Sequence, residues 1–328
     1  MSLSSKAPSL WGAPIIWKKQ GVIFEPKGLF GWMNSHAQIP TVLVMADRLR
    51  VYFATRPQND LTLTTFVDLD KRDPKKVMYV HDRPVLELGR RGMFDNHGIM
   101  PNYVCIRDGR VFLYYVGWYR GSTIPYHNAI GLAVSDDGGV VFRKLFEAPV
   151  LDRTPTEPYS LGSIYMVEAG GLFHMFYTYV FDWIEINGRL EPVYHIRHAT
   201  SSDGVTWQKS GRISIREAFQ DEAVARPSII FQNGRYHMWF CHRGSQDFRG
   251  GRDSYRIGYA WSDDLLDWHR DDQAAGIDVS RSGWDSQMVT YPCIVQVDHE
   301  YLMFYNGNGF GASGFGVATG TLNERFDR

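Results

Sequence analysis

A unit of about 63 residues recurs five times along this chain. Each copy opens on Pro, or on Ile164 in its place, and runs through apolar residues to a tight turn. It then continues as an alternating, aromatic-rich strand. The five openings are Pro40, Pro101, Ile164, Pro227 and Pro292, separated by 61, 63, 63 and 65 residues. The turns are Asp47-Arg48, Asp108-Gly109, Gly170-Gly171, Asn233-Gly234 and Asp298-His299. Asp-Gly, Asn-Gly and Gly-Gly between two apolar runs are hairpin signals, because such turns need a positive φ. The strands that follow, such as Val111-Phe112-Leu113-Tyr114-Tyr115 and Tyr236-His237-Met238-Trp239-Phe240, suit a pleated, half-buried surface.

A second pattern falls between the copies. Ser135-Asp136-Asp137-Gly138 precedes Phe142, Ser202-Asp203-Gly204 precedes Trp207, and Ser262-Asp263-Asp264 precedes Trp268. Each follows a short apolar run, so each unit holds four strands: a hairpin, a third strand, and a fourth beyond the Ser-Asp turn. Five units of four antiparallel strands predict an all-β, five-bladed propeller that occupies residues 1–328 as one domain. The stretch Trp17-Lys18-Lys19-Gln20-Gly21-Val22-Ile23 matches Trp207-Gln208-Lys209-Ser210-Gly211-Arg212-Ile213, whereas the fifth unit has no Ser-Asp…Trp tail. The N-terminal strand is therefore expected to complete the last blade and close the ring, which removes exposed sheet edges.

Charge and composition narrow the class of partner. With 35 Lys+Arg against 36 Asp+Glu the net charge is −1, and no basic run has the length that tracks a phosphate backbone, so nucleic acid is not expected. The densest basic stretch, residues 71–76, reads as a solvated loop. No segment approaches the apolar length of a membrane span, and residues 1–11 lack an apolar signal core. Cys105, Cys241 and Cys293 are widely spaced and fit neither a disulfide framework nor a metal site. A cytoplasmic setting without cofactor or metal is the expectation; oligomeric state is not readable.

In a propeller the first strand of each blade lines a central channel, so polar residues just before each opening face a common axis. Asp95, Glu157, Glu222 and Asp285 occupy that place in units 2 to 5, and unit 1 has residues 34–38 with no acid. Carboxylates converging from several blades suit acid–base chemistry. His36 and His97 each stand four residues before a Pro and are expected to face the channel as ligands for a substrate. Arg56, Arg226 and Arg243 lie near the channel mouth, where they could hold phosphate or an acidic sugar; a structural pair between Arg226 and Glu222 is the alternative. Trp32, Trp118, Trp183 and Trp284 fall in loops fit to stack on sugars, with Trp118 in the long insertion 117–128. Trp17, Trp207 and Trp268 repeat at the outer strand and are expected to be structural.

The 63-residue unit, the Ser-Asp-Gly…Trp turn, Gly92-Met93-Phe94-Asp95 and Arg226-Pro227-Ser228 make the whole chain resemble the five-bladed propeller glycosidases. These comprise the arabinanase and β-xylosidase family, the invertase family and the mannoside phosphorylases. The resemblance implies a carbohydrate substrate and catalytic carboxylates on inner strands, which makes Asp95, Glu222 and Asp285 the catalytic candidates, with Glu157, His36, His97, Arg56, Arg226, Arg243 and Trp118 around the substrate. Hydrolysis with inversion is the favoured expectation, Glu222 acting as acid and Asp95 or Asp285 as base. The Asp that the arabinanase and invertase groups carry on the first inner strand is absent here, and Arg72-Asp73-Pro74, an invertase-like triplet, lies off the inner strands. A phosphate-dependent phosphorylase and a non-catalytic sugar-binding propeller are the rival expectations.

Overall fold

The computed structural model describes residues 14–57 and 61–321. The N-terminal stretch read for a signal core falls in residues 1–13, outside the described residues. Strand β1 (Lys18–Phe24) comes first, followed by five runs of strands. Blade 1 holds β2 (Ser35–Val44), β3 (Arg48–Arg56), β4 (Leu63–Asp70) and β5 (Val77–Val80). Blade 2 holds β6 (Gly98–Arg107), β7 (Arg110–Arg120), β8 (Tyr126–Ser135) and β9 (Arg143–Lys144). Blade 3 holds β10 (Leu161–Ala169), β11 (Leu172–Ile186), β12 (Arg189–Ser201) and β13 (Gln208–Ile215). Blade 4 holds β14 (Ala223–Gln232), β15 (Arg235–Arg243), β16 (Arg256–Ser262) and β17 (His269–Arg270). Blade 5 holds β18 (Thr290–Val297), β19 (Glu300–Asn306) and β20 (Phe315–Gly320).

Each run pairs in order as an antiparallel sheet, and β1 pairs with β20 to give blade 5 its fourth strand. The protein is a five-bladed β-propeller, and β1 is the expected closing strand. The first strands β2, β6, β10, β14 and β18 touch one another around a complete circuit and form the channel wall. Apolar clusters fill every interface between neighbouring blades, two of them between blades 3 and 4; Phe24, Phe53, Phe304 and Phe315 fill the space between blades 1 and 5. Trp17 packs at the interface of blades 4 and 5, and Trp207 and Trp268 pack at those of blades 2/3 and 3/4, the structural places expected of them.

The Ser-Asp signals cap the turn from third to fourth strand. Ser201 Oγ donates to Asp203 Oδ1 at 2.8 Å, and Asp203 Oδ1 accepts the N–H groups of Val205 and Thr206 at 2.7 and 2.8 Å. Ser262 and Asp264 repeat the arrangement. These bonds satisfy backbone donors that the short outer strands leave unpaired. Arg72-Asp73-Pro74 lies in the turn between β4 and β5.

Candidate functional site

Every first strand carries a register shift at the same level: between Gln38 and Thr41, Pro101 and Tyr103, Leu161 and Ile164, Ala225 and Ser228, and Thr290 and Cys293. A bulge bends its strand and re-aims the side chains beside it. Ile39, Arg226 and Tyr291, each just before the unit's Pro, take φ values of 58°, 54° and 55° there. Above the ring of bulges opens a cavity of about 580 Å³ that receives residues from all five blades. Gln38, Met100, Ser163, Ala225 and Tyr291 form its floor from the first strands, and Arg56, Trp118, Arg120 and Thr178 rise from the second strands.

The cavity's chemistry is aromatic, hydroxylic and cationic. Tyr126, Tyr194, Tyr255 and Tyr291 line it together with Asn128 and the two guanidiniums of Arg56 and Arg120. Arg56 Nη2 donates to Gln38 Oε1 at 3.1 Å. Burial pushes the phenols of Tyr126, Tyr255 and Tyr291 upward, so they remain neutral hydroxyls able to donate. No Asp or Glu occurs among the described residues that line the cavity. Of the catalytic and substrate-binding candidates read from the sequence, Arg56 and Trp118 line it.

The four acids sit elsewhere, each inside its own blade. Asp95 takes a 2.5 Å ion pair from Lys144 and a 3.0 Å hydrogen bond from Tyr115 Oη. Asp285 repeats this with Lys19 at 2.6 Å and Tyr305 at 3.0 Å. Glu157 meets Lys209 at 2.6 Å, Arg197 at 2.9 Å and Tyr177 Oη at 2.8 Å. Glu222 meets Arg270 at 2.7 Å and His242 Nδ1 at 2.8 Å. All four are buried to within 2% of their surface. Burial alone would raise the Glu222 pKa, but the bonds from His242 and Arg270 and the charge of Arg270 hold it at about 2. Facing a cation from the outermost strand, each of these groups is a clasp across its own blade, and none of them lines the cavity.

Two sequence signals mark these clasps. The second-strand partner stands 20 residues after each acid. The cation stands two residues after the aromatic that immediately precedes the outer strand, as in Trp17/Lys19, Phe142/Lys144, Trp207/Lys209 and Trp268/Arg270. Glu222, His242 and Asp272 also place ligand atoms within 4.8 Å of one another. The Arg270 guanidinium bridges Glu222 and Asp272, at 2.7 and 2.8 Å, and takes the place a cation would need.

The remaining candidates back the cavity or seal the channel. His36 and His97 do not line the cavity: His36 Nδ1 pairs with Ser35 Oγ at 2.9 Å and His97 Nδ1 with Asn96 Oδ1 at 2.7 Å. Burial, with the Arg56 charge adding to it, lowers the His36 pKa to about 4. The His97 ring lies 5.7 Å from that of Trp118 and supports it. Arg226 is not paired with Glu222; it is buried in the channel, donating to Asn102 O at 2.7 Å, Asn102 Oδ1 at 3.1 Å, Pro40 O at 3.1 Å and Thr41 Oγ1 at 3.1 Å. Arg243 is buried behind Tyr194 and Tyr255. Trp183 packs edge-on against Tyr126, Trp284 lies over Tyr305, and Trp32 Nε1 donates to Asp82 O at 3.1 Å. Arg120, Tyr126 and Asn128 reach the cavity from the insertion 117–128, and Tyr194 stands at the end of a second insertion, 181–194. Sequence reading missed Tyr255 and Tyr291 as cavity residues; a Tyr just before the Pro of unit 5 was the available signal for Tyr291.

The closed ring with its bulged inner strands has the fold of the five-bladed glycoside hydrolases and mannoside phosphorylases. A solved glycoside hydrolase superposes with a TM-score of 0.70 at 16% identity, covering 94% of this chain and 92% of that one. A structure from the GH130 family of mannoside phosphorylases, described as containing hydrolases that target beta-1,2 mannosidic linkages in Candida mannan, gives 0.68 at 15% identity, covering 96% and 95%. In sequence, the chain is 36% identical to the uncharacterized protein Rv1502 of Mycobacterium tuberculosis over 304 residues, 92% of this chain and 98% of that protein. It belongs to the same family as that protein. A 1,2-beta-oligomannan phosphorylase of Thermoanaerobacter sp. is 27% identical over 201 residues, 59% of each chain. No family model matches the chain.

Proposed function

We propose that this protein is a carbohydrate-active phosphorylase that cleaves a β-1,2-linked mannoside with inorganic phosphate in the channel-mouth cavity. The observation that carries this reading is the cavity's lining: two guanidiniums, four phenols and Trp118, with no carboxylate among the described lining residues. Trp118 and the tyrosines offer faces and hydroxyls to sugar rings, and Arg56 and Arg120 offer charge to a phosphate. Inverting hydrolysis needs one carboxylate to activate water and another to protonate the leaving group. Phosphorolysis brings its own charged nucleophile and dispenses with the base. The clasped state of Asp95, Glu222 and Asp285 takes support from a hydrolase built on them, and the relationship to an oligomannan phosphorylase points the same way.

The test is incubation of the purified protein with β-1,2-mannooligosaccharides, with and without inorganic phosphate, followed by phosphorus NMR. Mannose 1-phosphate that forms only when phosphate is present is the expected result. Reducing sugar released without phosphate would replace the reading with a hydrolase. Calorimetric binding with no cleavage would establish a sugar-binding propeller, a second reading that the same carboxylate-poor lining favours.

A further inference from the structure

We propose that Gln38 is a positioning residue of the cavity: its carboxamide holds the Arg56 guanidinium and leaves the Tyr291 O–H free, so that both present hydrogen-bond donors to one phosphate. For its ligand the proposal rests on the phosphorolysis reading; for the geometry of the three side chains it does not.

The direction of each proton in this trio follows from what each group can do. Arg56 Nη2 lies 3.1 Å from Gln38 Oε1, and Gln38 Nε2 lies 3.3 Å from Tyr291 Oη. A guanidinium has donors only, so the end of the carboxamide that meets Arg56 is the oxygen. The other end is then the amide NH2, which also only donates. Tyr291 Oη therefore accepts, and its own proton is not spent on Gln38. Among the described residues Tyr291 Oη has no other hydrogen-bond partner. All three side chains belong to residues that line the cavity.

The backbone that carries Gln38 is strained into place. His36 and Ile39 take φ values of 65° and 58°, a left-handed conformation that a β-branched residue rarely adopts. Such strain persists only where the surroundings over-determine it, and it gathers at functional sites. Here the surroundings are Asn306, which ends β19 and has no exposed surface. Its Oδ1 accepts the Ile39 N–H at 2.8 Å, and its Nδ2 donates to Ala37 O at 2.8 Å. One side chain of blade 5 thus grips the chain on both sides of Gln38. Gly311 packs against the same place: a Cβ there would stand 2.6 Å from Asn306 Nδ2 and 3.2 Å from Gln38 Cα. The grip uses backbone atoms of residues 37 and 39 and leaves the Gln38 carboxamide to Arg56 and Tyr291.

A guanidinium and a phenol held by the two ends of one carboxamide offer a cationic donor and a neutral donor side by side. Phosphate oxygens accept from several such donors at once. A sugar hydroxyl must also donate, and the one acceptor in the trio, Gln38 Oε1, is taken by Arg56. Donors fixed before the ligand arrives lose less freedom when it binds.

Calorimetry of the full chain with inorganic phosphate alone reads this role. Gln38→Met keeps the length of the side chain and the backbone grip while it removes both bonds. It is expected to weaken phosphate binding about tenfold or more, with a melting midpoint close to that of the wild type. Tyr291→Phe should weaken binding too. In that background Gln38→Met should cost less than in the wild type, because part of its effect passes through Tyr291. Equal losses in the two backgrounds, or wild-type affinity in Gln38→Met, would overturn the proposal. A crystal structure of Gln38→Met tests the positioning without any ligand: Arg56 and Tyr291 should shift, and side chains left unmoved would refute the role. Wild-type protein that binds no phosphate would refute the ligand and the phosphorolysis reading together, and the crystal structure would still decide the positioning. Phosphate binding that depends on Gln38 in a protein that cleaves no β-1,2-mannoside would refute the reaction and leave the phosphate site standing.

Discussion

At the end of β9, Lys144 brings its ammonium 2.5 Å from a carboxylate that has no exposed surface. Such a pair contributes little compared with an apolar replacement, but removal of one member strands the other in a medium that solvates charge poorly. Lys144→Met is therefore expected to destabilise the protein by about 3–5 kcal/mol, measured by urea denaturation. The double variant with Asp95→Asn should lose less than Lys144→Met alone; an equal or greater loss would refute the clasp. The clasps also show which part of the acids' placement the sequence carries. That Asp95, Glu157, Glu222 and Asp285 occupy equivalent places was legible, because they precede the inner strands by regular spacing. Their burial against Lys144, Lys209, Arg270 and Lys19 was not, because strand alternation does not say whether a loop residue turns toward the channel or back into its blade. Tyr255 was illegible for another reason: it reaches the cavity from the segment just before the third strand β16, which the repeat does not mark as lining the channel.

At the scale of the element, local chemistry and ring geometry meet in β1. Hairpin turns, alternating aromatics and the Trp17/Trp207 match revealed all five sheets and the closing strand, since each signal lies within a few residues of what it specifies. The bulges beside each Pro were not foreseen, because a bulge is a relation between two strands and leaves no composition of its own. β1 contributes Phe24 to the blade 1/5 cluster, and Ile15 and Trp17 just before it pack at the 4/5 interface; Lys19 balances Asp285. Burial of such side chains stabilises by about 1.5–3 kcal/mol each. Deletion through Phe24 is expected to lower the melting midpoint by about 10 °C or more, at about 2–4 °C per kcal/mol. It should also expose the β20 edge and promote self-association on size exclusion. A peptide of residues 14–25 added to the truncated protein should recover part of the midpoint. No recovery would show that the strand acts through more than its pairing.

For the molecule as a whole, one side chain ties three blades. Arg226 leaves blade 4, crosses the channel and donates to Pro40 O and Thr41 Oγ1 of blade 1 and to Asn102 of blade 2. Asn102 in turn accepts the Ile164 amide of blade 3 at 3.1 Å. Arg226→Met would leave buried acceptors on two other blades unpaired, and each costs about 1–3 kcal/mol. A loss of about 2 kcal/mol or more is expected in denaturant titration, with the transition remaining single; a variant as stable as the parent would show that Arg226 only fills space. The ring has a further consequence, set by the order in which its strands are made. β1 emerges from the ribosome before any blade can fold, and its partner β20 follows every other strand of the propeller. For that whole interval Trp17 and Phe24, which pack on opposite sides of blade 5, have no sheet to join. The growing chain therefore carries an unpaired apolar strand ahead of its five blades, open to mispairing until β20 is made.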